Sequence, residues 1–189
     1  MTPNTLKIVI AGGFGVGKTT LVSAVSDIKP LGTEEVLSAA SVGSDVLTEV
    51  ETKSLTTVAM DFGRIQISSD LALYLFGTPG QPRSRFLWDE LVHGALGVIV
   101  LVDNRRLADC FPVIDYFESR GTPFLVAINR FDGAPTFTVE AIRAALALDE
   151  QVPIMVCDAR DRESVRQVLI KLMEHVSGGD RGAVTRWAH

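Results

Sequence analysis

Cysteine is scarce: Cys110 and Cys157 are the two present in 189 residues, and each sits in an apolar stretch. A disulfide framework or a thiolate metal site needs more partners than that, so reduced, buried thiols and a cytoplasmic location are expected. Long apolar runs are missing too. The longest, Ala95 to Val102, is strand-sized and far short of a membrane span. Met1-Thr2-Pro3-Asn4 lacks the charged-then-apolar pattern of a signal peptide and a glycine at position 2 for acylation, and Arg186-Trp187-Ala188-His189 is no prenylation box. The expectation is a soluble chain with no direct membrane anchor, recruited to a membrane only through a partner. Basic charge is short as well. The 18 Lys and Arg against 23 Asp and Glu give a net charge of −5, which offers no footprint for nucleic acid. There is no internal repeat, low-complexity block or inter-domain linker. What remains is an ordinary globular composition, 47% hydrophobic and 22% charged, in a length that suits one α/β domain.

Apolar runs alternate with helical patterns along the chain. Leu6 to Ala11 reads as a strand, and Leu21, Val22 and Val25 recur at helical spacing after it. Pro30 to Ser54, rich in Ser, Thr, Gly and Glu, has weak periodicity. Val58 to Ile67 and Leu71 to Phe76 flank Ser68-Ser69-Asp70 and predict a hairpin. A short helix over Phe86 to Val92 follows, then a strand at Leu96 to Val102, a helix over Leu107 to Ser119 and a strand at Phe124 to Ile128. Thr138 can cap a helix carrying Val139, Ile142 and Leu146, and Pro153 to Cys157 is the last strand. The closing helix has one apolar stripe, Val165, Val168, Leu169, Leu172, Met173 and Val176, and starts at Asp161 or Asp158. The pattern stops at Ser177, so a domain over 1–176 and a flexible tail over 177–189 are expected. Strands alternating with helices predict a mostly parallel sheet covered on both faces, with the hairpin adding one antiparallel edge strand.

Ligands on such sheets bind at the carboxyl ends of the strands, so the residues that follow each strand carry the functional signal. After the first comes Gly12-Gly13-Phe14-Gly15-Val16-Gly17-Lys18-Thr19, which fits G-x-x-x-x-G-K-[ST] at every fixed position. Strand, glycine-rich loop and helix together aim backbone N–H groups and the positive end of a helix at an anion. Gly13, Phe14, Gly15, Val16, Gly17, Lys18, Thr19 and Thr20 are the expected phosphate contacts. Lys18 can reach the β- and γ-phosphates, and the Thr19 hydroxyl can take a Mg²⁺ position. After Phe76 comes Gly77-Thr78-Pro79-Gly80-Gln81, where the Gly80 N–H can meet a γ-phosphate and Gln81 can orient an attacking water; a plain Pro/Gly turn has the same residues.

After the strand ending at Ile128 comes Asn129-Arg130-Phe131-Asp132. A carboxylate at Asp132 can accept from the N1–H and the exocyclic amine of guanine, donors that adenine lacks in those places. Asn129 would brace this loop against the phosphate loop. After the last strand comes Asp158-Ala159-Arg160, where the Ala159 N–H can meet the guanine O6. Asn-x-x-Asp alone is a common turn composition; its place after a strand, together with the phosphate loop, points to guanine.

This set resembles the Ras-like small GTPases from about Leu6 to Val176. The resemblance implies the three-layer P-loop NTPase fold of a small G domain, binding GTP and GDP with Mg²⁺. Thr57-Val58-Ala59-Met60-Asp61-Phe62 is similar to the Thr-Ile-Gly-Val-Asp-Phe stretch of the Rab branch, which makes Thr57 the switch I threonine that binds Mg²⁺ with GTP, with Thr56 as its rival. Gln81 matches the hydrolytic glutamine. Gly77 replaces the aspartate that holds a Mg²⁺-bound water, Arg130 replaces the usual lysine, and Asp158-Ala159-Arg160 replaces Ser-Ala-Lys. Counting across the hairpin places Asp61 opposite Thr78, from where it can hold that water in place of residue 77. Pro-Gly-Gln without the Asp resembles the MglA-type polarity GTPases. Thr-Val-Ala-Met-Asp-Phe-Gly and Phe-Gly-Thr-Pro-Gly-Gln resemble the actinobacterial conservon GTPases. That branch implies protein effectors and regulators, in particular a Roadblock/LC7 protein and sensor-kinase-like proteins.

The function expected is a Mg²⁺-dependent, GTP-hydrolysing molecular switch in bacterial signalling, in which GTP orders Pro30 to Thr57 and Gly77 to Arg85. Hydrolysis without a partner should be slow, since no arginine stands beside Thr57, and Arg83 and Arg85 read more readily as surface charges. The alternatives are a nucleotide-locked scaffold with little hydrolysis and, less in keeping with Asn129 and Asp132, a P-loop phosphotransferase.

Overall fold

A computed structural model describes residues 4–37, 56–80 and 87–178, with the backbone alone described over 31–37 and 56–59. The order of elements is β1 (Asn4–Ala11), α1 (Lys18–Val25), β2 (Leu31–Leu37), β3 (Thr56–Ser68), β4 (Leu71–Gly77), α2 (Trp88–Val92), β5 (Gly97–Asp103), a 3₁₀ turn (Leu107–Cys110), α3 (Phe111–Ser119), β6 (Phe124–Asn129), α4 (Val139–Ala145), β7 (Ile154–Cys157) and α5 (Arg162–Val176). The expected tail lies almost wholly outside the described residues. No described helix is long and apolar enough to cross a membrane.

Seven strands form one sheet in the order β2-β3-β4-β1-β5-β6-β7. Every pairing is parallel except those of β3, which runs antiparallel to both β2 and β4. The antiparallel strand therefore lies one place inside the edge. The edge is β2, which falls in the stretch whose periodicity is weak. Its backbone pairs with β3 from Leu31 opposite Phe62 to Leu37 opposite Thr56. An edge strand containing Glu34-Glu35 carries no apolar alternation to announce it.

Side-chain alternation along the central strands splits the core in two. Ile8, Ile10, Ile99 and Leu101 face α1 and α5, meeting Leu21, Val22, Val168 and Leu172. Val9, Val98, Val100 and Val126 face the other way, onto Trp88, Ile114, Phe117 and Ile142. Fully burying one such side chain is worth about 1.5–3 kcal/mol, so the sheet is the rigid part to which the loops are fixed. Both caps are in place: Thr138 Oγ1 accepts from the Ala141 N–H, and Asp161, not Asp158, caps α5 through the N–H groups of Glu163 and Ser164. Cys110 and Cys157 are free and buried, and burial pushes their thiols up to about 12 and about 11.

The hairpin of β3 and β4 turns where expected, but its register differs by one. Ser68 pairs with Leu71, and between Gln66 and Ser68 the register shifts, so that Gln66 pairs with Ala72 and Asp61 with Gly77 rather than Thr78. The extra residue of a bulge moves every later pair by one position. β1 lies between β4 and β5, so the chain diverges to either side of it, and the crevice at the carboxyl ends of β1 and β5 is the place for a ligand.

Candidate functional site

The phosphate-type loop leaves β1 at that crevice and runs into α1. Gly17 has φ 104°, and a Cβ on it would stand 2.6 Å from Asn129 Nδ2; only glycine satisfies both demands. Lys18 begins α1 and folds back under the loop, where Nζ donates to Gly12 O at 3.0 Å and Gly13 O at 2.7 Å. It is buried, and that burial lowers its ammonium pKa to about 8 although Asp61 pulls it upward. Phe14 is exposed on the outer turn, while Val16 enters the core.

A cleft of about 370 Å³ opens above this loop, lined by Phe14, Gly15, Gly17, Lys18, Thr19 and Thr20 on one side and by Asp61, Thr78 and Gly80 on the other. Thr19 Oγ1 donates to Asp61 Oδ2 at 2.8 Å. A Cβ on Gly77 would lie 2.9 Å from both Asp61 Cβ and Oδ2, so the Asp61 carboxylate takes the space a side chain at 77 would fill. Gly80 approaches so closely that its Cβ would be 2.8 Å from Phe14 Cα and 3.0 Å from Lys18 Nζ. Thr78 Oγ1 is buried with no hydrogen-bond partner among the described residues. Thr57 lies in β3 opposite Val36, with only its backbone described. Gln81, Arg83 and Arg85 fall outside the described residues.

Asn129 ends β6 and is buried with both ends of its amide bonded. Nδ2 donates to Val16 O at 2.9 Å, and Oδ1 accepts the Ala159 N–H at 2.9 Å. Losing such a bond inside the protein costs about 1–3 kcal/mol, so this side chain fixes three loops together. The Ala159 N–H, expected from sequence to meet a guanine O6, donates to Asn129 in this structure. The side-chain carbonyl at the end of β6 reaches the loop after its neighbour β7.

Beside it a second cleft, of about 480 Å³, is bordered by Asn129, Arg130, Phe131, Asp132, Asp158 and Arg160. Arg160 forks between two carboxylates. Nη1 and Nη2 meet Asp132 Oδ2 and Oδ1 at 2.9 and 3.2 Å; Nε and Nη2 meet Asp158 at 2.9 and 2.8 Å. These hydrogen bonds hold the Asp132 carboxyl below its ordinary range and lower that of Asp158 to about 2. The Asp132 side chain is 86% exposed, so the pair orients the carboxylate and adds little to stability. Arg130 is exposed at the rim, and its backbone N–H is held by Cys157 O at 2.8 Å.

Sequence alone does not single out Asp103, Arg105 and Arg106, although they too directly follow a buried strand. Arg106 Nη2 donates to Phe14 O at 2.7 Å, and Arg105 lies over the Phe131 ring at 3.8 Å from its centroid. Two adjacent arginines at the carboxyl end of β5 are the signal that marks them.

The model of a family described as conserved hypothetical ATP binding protein matches residues 10–179. An uncharacterized protein of Methanocaldococcus jannaschii, MJ1339, is 30% identical over 134 residues, covering 70% of this chain and 74% of that protein. Among solved structures, the G domain of the T. maritima FeoB iron transporter is similar with TM-score 0.63 at 18% identity, covering 91% of this chain and 99% of its own. The Arl6 BBS3 small GTPase from Trypanosoma brucei, with a bound nucleotide analogue GppNp, has TM-score 0.61 at 18% identity over 94% of this chain and 100% of its own. The fold is therefore that of a small G domain.

Proposed function

The chain belongs to the family described as conserved hypothetical ATP binding protein, and from that premise we propose that the nucleotide it binds is GTP or GDP, held with Mg²⁺ and slowly hydrolysed. The observation that carries the choice of base is Asn129. Pinned between Val16 O and the Ala159 N–H, it ties to the phosphate loop the segment that carries Asp132 three residues on, beside a second cleft. A carboxylate there accepts from guanine N1–H and its exocyclic amine, and meets no donor on adenine. Arg130 lies beside it, with a stem long enough to cover the base.

Mg²⁺ fits the other cleft on the chemistry of its donors. A Mg²⁺ ion is ordinarily held by one or two carboxylates, water and the phosphates, and no cluster of three acidic, His or Cys side chains is found among the described residues. The Thr19 hydroxyl and the Thr78 hydroxyl, which has no partner among the described residues, border the same cleft as Asp61. Bound there, the ion would neutralise charge on the β- and γ-phosphates, with Thr19 and Thr57 as direct ligands and Asp61 holding one of its waters. The Gly80 N–H binds the γ-phosphate and Gln81 orients the attacking water. Water oxygen bonds to the γ-phosphorus, the bond to the β–γ bridging oxygen breaks, and the water proton passes to the released phosphate, leaving GDP.

On this reading the γ-phosphate orders the segments around Thr57 and Gly80, and the nucleotide state is read by protein effectors and regulators. A Roadblock/LC7 protein and sensor-kinase-like proteins are the partners that the conservon-like residues favour. Phosphate release from GTP-loaded protein tests the reading: slow, Mg²⁺-dependent release is expected, and none at all favours the scaffold. Asp61→Ala is expected to raise the Mg²⁺ concentration needed for tight GTP binding by about 10–100-fold while GDP binding without Mg²⁺ changes little. An unaltered Mg²⁺ titration removes Asp61 from the metal site.

A further inference from the structure

The carboxyl end of β5 holds a device that nucleotide binding, as set out above, does not use. Asp103 is 4% exposed, at the end of a strand whose seven residues are all buried. Its carboxylate accepts from the Arg105 N–H at 2.9 Å, Nε at 2.9 Å and Nη2 at 2.8 Å, and lies 3.7 Å from Arg106 Nε. The hydrogen bonds from Arg105 outweigh burial and keep this carboxyl below its ordinary range, so it is a fixed negative anchor. Two arginines leave that anchor in different directions. Arg105 stacks on Phe131, inside the Asn129-to-Asp132 loop. Arg106 lies against the phosphate loop, with Nη2 on Phe14 O at 2.7 Å and Nη1 3.5 Å from Asp109 Oδ2.

The contact with Phe14 has a geometric consequence. There are no cis peptides among the described residues, and in a trans peptide the C=O and the following N–H point to opposite sides of the chain. Arg106 holds the Phe14 carbonyl from a side of the loop that borders Gly13, Val16, Asp103 and Asp109, away from the phosphate cleft. The Gly15 N–H is thereby turned toward the cleft. Asn129 does the same two residues on, holding Val16 O and turning the Gly17 N–H. Backbone N–H groups aimed in this way are what a phosphate loop offers an anion.

We propose that Arg106 is a positioning residue for the nucleoside diphosphate: anchored on Asp103, it aims the Gly15 N–H at the phosphates, and the shared anchor ties that aim to the base loop through Arg105 and Phe131. The proposal rests on the nucleotide reading and adds a residue to it. Arg106 acts through the Phe14 carbonyl. The half-exposed ion pair of Arg106 with Asp109 alone would change little on removal, and the buried Asp103 keeps Arg105 as its partner.

The test compares GDP affinity and dissociation rate for the unaltered chain, Arg106→Ala and Arg106→Lys, with ADP competition and the nucleotide-free melting temperature measured alongside. The expected result for Arg106→Ala is a roughly tenfold loss of GDP affinity, carried by faster dissociation. The preference for GDP over ADP and the nucleotide-free melting temperature stay as they were, which a merely structural role would not give. Arg106→Lys keeps the charge but not the planar fork, so it loses affinity to a smaller degree. Undiminished GDP affinity in Arg106→Ala overturns the proposal. So does full affinity in Arg106→Lys, because charge alone would then suffice; that variant decides the matter if the alanine variant folds poorly. An unaltered chain that binds neither nucleotide overturns the nucleotide reading itself, a result distinguishable from either variant's.

Discussion

Lys18→Ala is expected to lower affinity for guanine nucleotides by at least about 100-fold, enough to take binding out of the micromolar range. The ammonium sits at the head of α1 within the phosphate cleft, 3.0 and 2.7 Å from two loop carbonyls. Those carbonyls keep it in position to exchange one set of acceptors for phosphate oxygens. Each charge-assisted bond it makes there is worth about 1.5–3 kcal/mol, and two of them account for the loss. Because Lys18 is buried, removing it also leaves Gly12 O and Gly13 O without their donor, and a drop of about 1 kcal/mol in stability accompanies the binding defect. Calorimetric titration with GDP, beside a thermal melt, checks both parts. Micromolar binding retained by a folded Lys18→Ala chain removes the phosphate-loop assignment.

Asp132→Asn is expected to weaken GTP binding by about 100-fold or more and to improve binding of xanthosine triphosphate. The amide presents a donor where guanine also presents donors, and a donor where xanthine carries a carbonyl. Arg160 keeps Asp158 as its partner through two contacts, so the variant alters one carboxylate without releasing the arginine. Competition between the two nucleotides on the unaltered and altered chains is the measurement. An unchanged preference for GTP assigns Asp132 to turn formation alone.

What could be read from sequence was local. The glycine-rich loop, the hairpin turn and the caps at Thr138 and Asp161 each depend on residues a few positions apart. The site beyond them depends on distant partners. Asn129 was legible because it follows a strand in a recurrent spacing, but its hold on the Ala159 N–H required β6 and β7 to lie side by side. Counting across the hairpin leads to Asp61, one position out of register because nothing in Gln66-Ile67-Ser68 announces a bulge. β2 leaves no mark in the sequence because an edge strand needs no apolar face. Arg106 is silent in the sequence for a different reason: its partner, the Phe14 carbonyl, is 92 residues away and has no side-chain identity to read.

Guanine is the base proposed for this site, in a family whose description names ATP. Displacement of a fluorescent GDP by unlabelled GTP and ATP, with Mg²⁺ present, separates guanine from adenine. GTP is predicted to displace the probe at concentrations about 100-fold or more below those of ATP, as a carboxylate matched to guanine donors requires. Displacement by ATP at equal or lower concentration would assign the site to adenine.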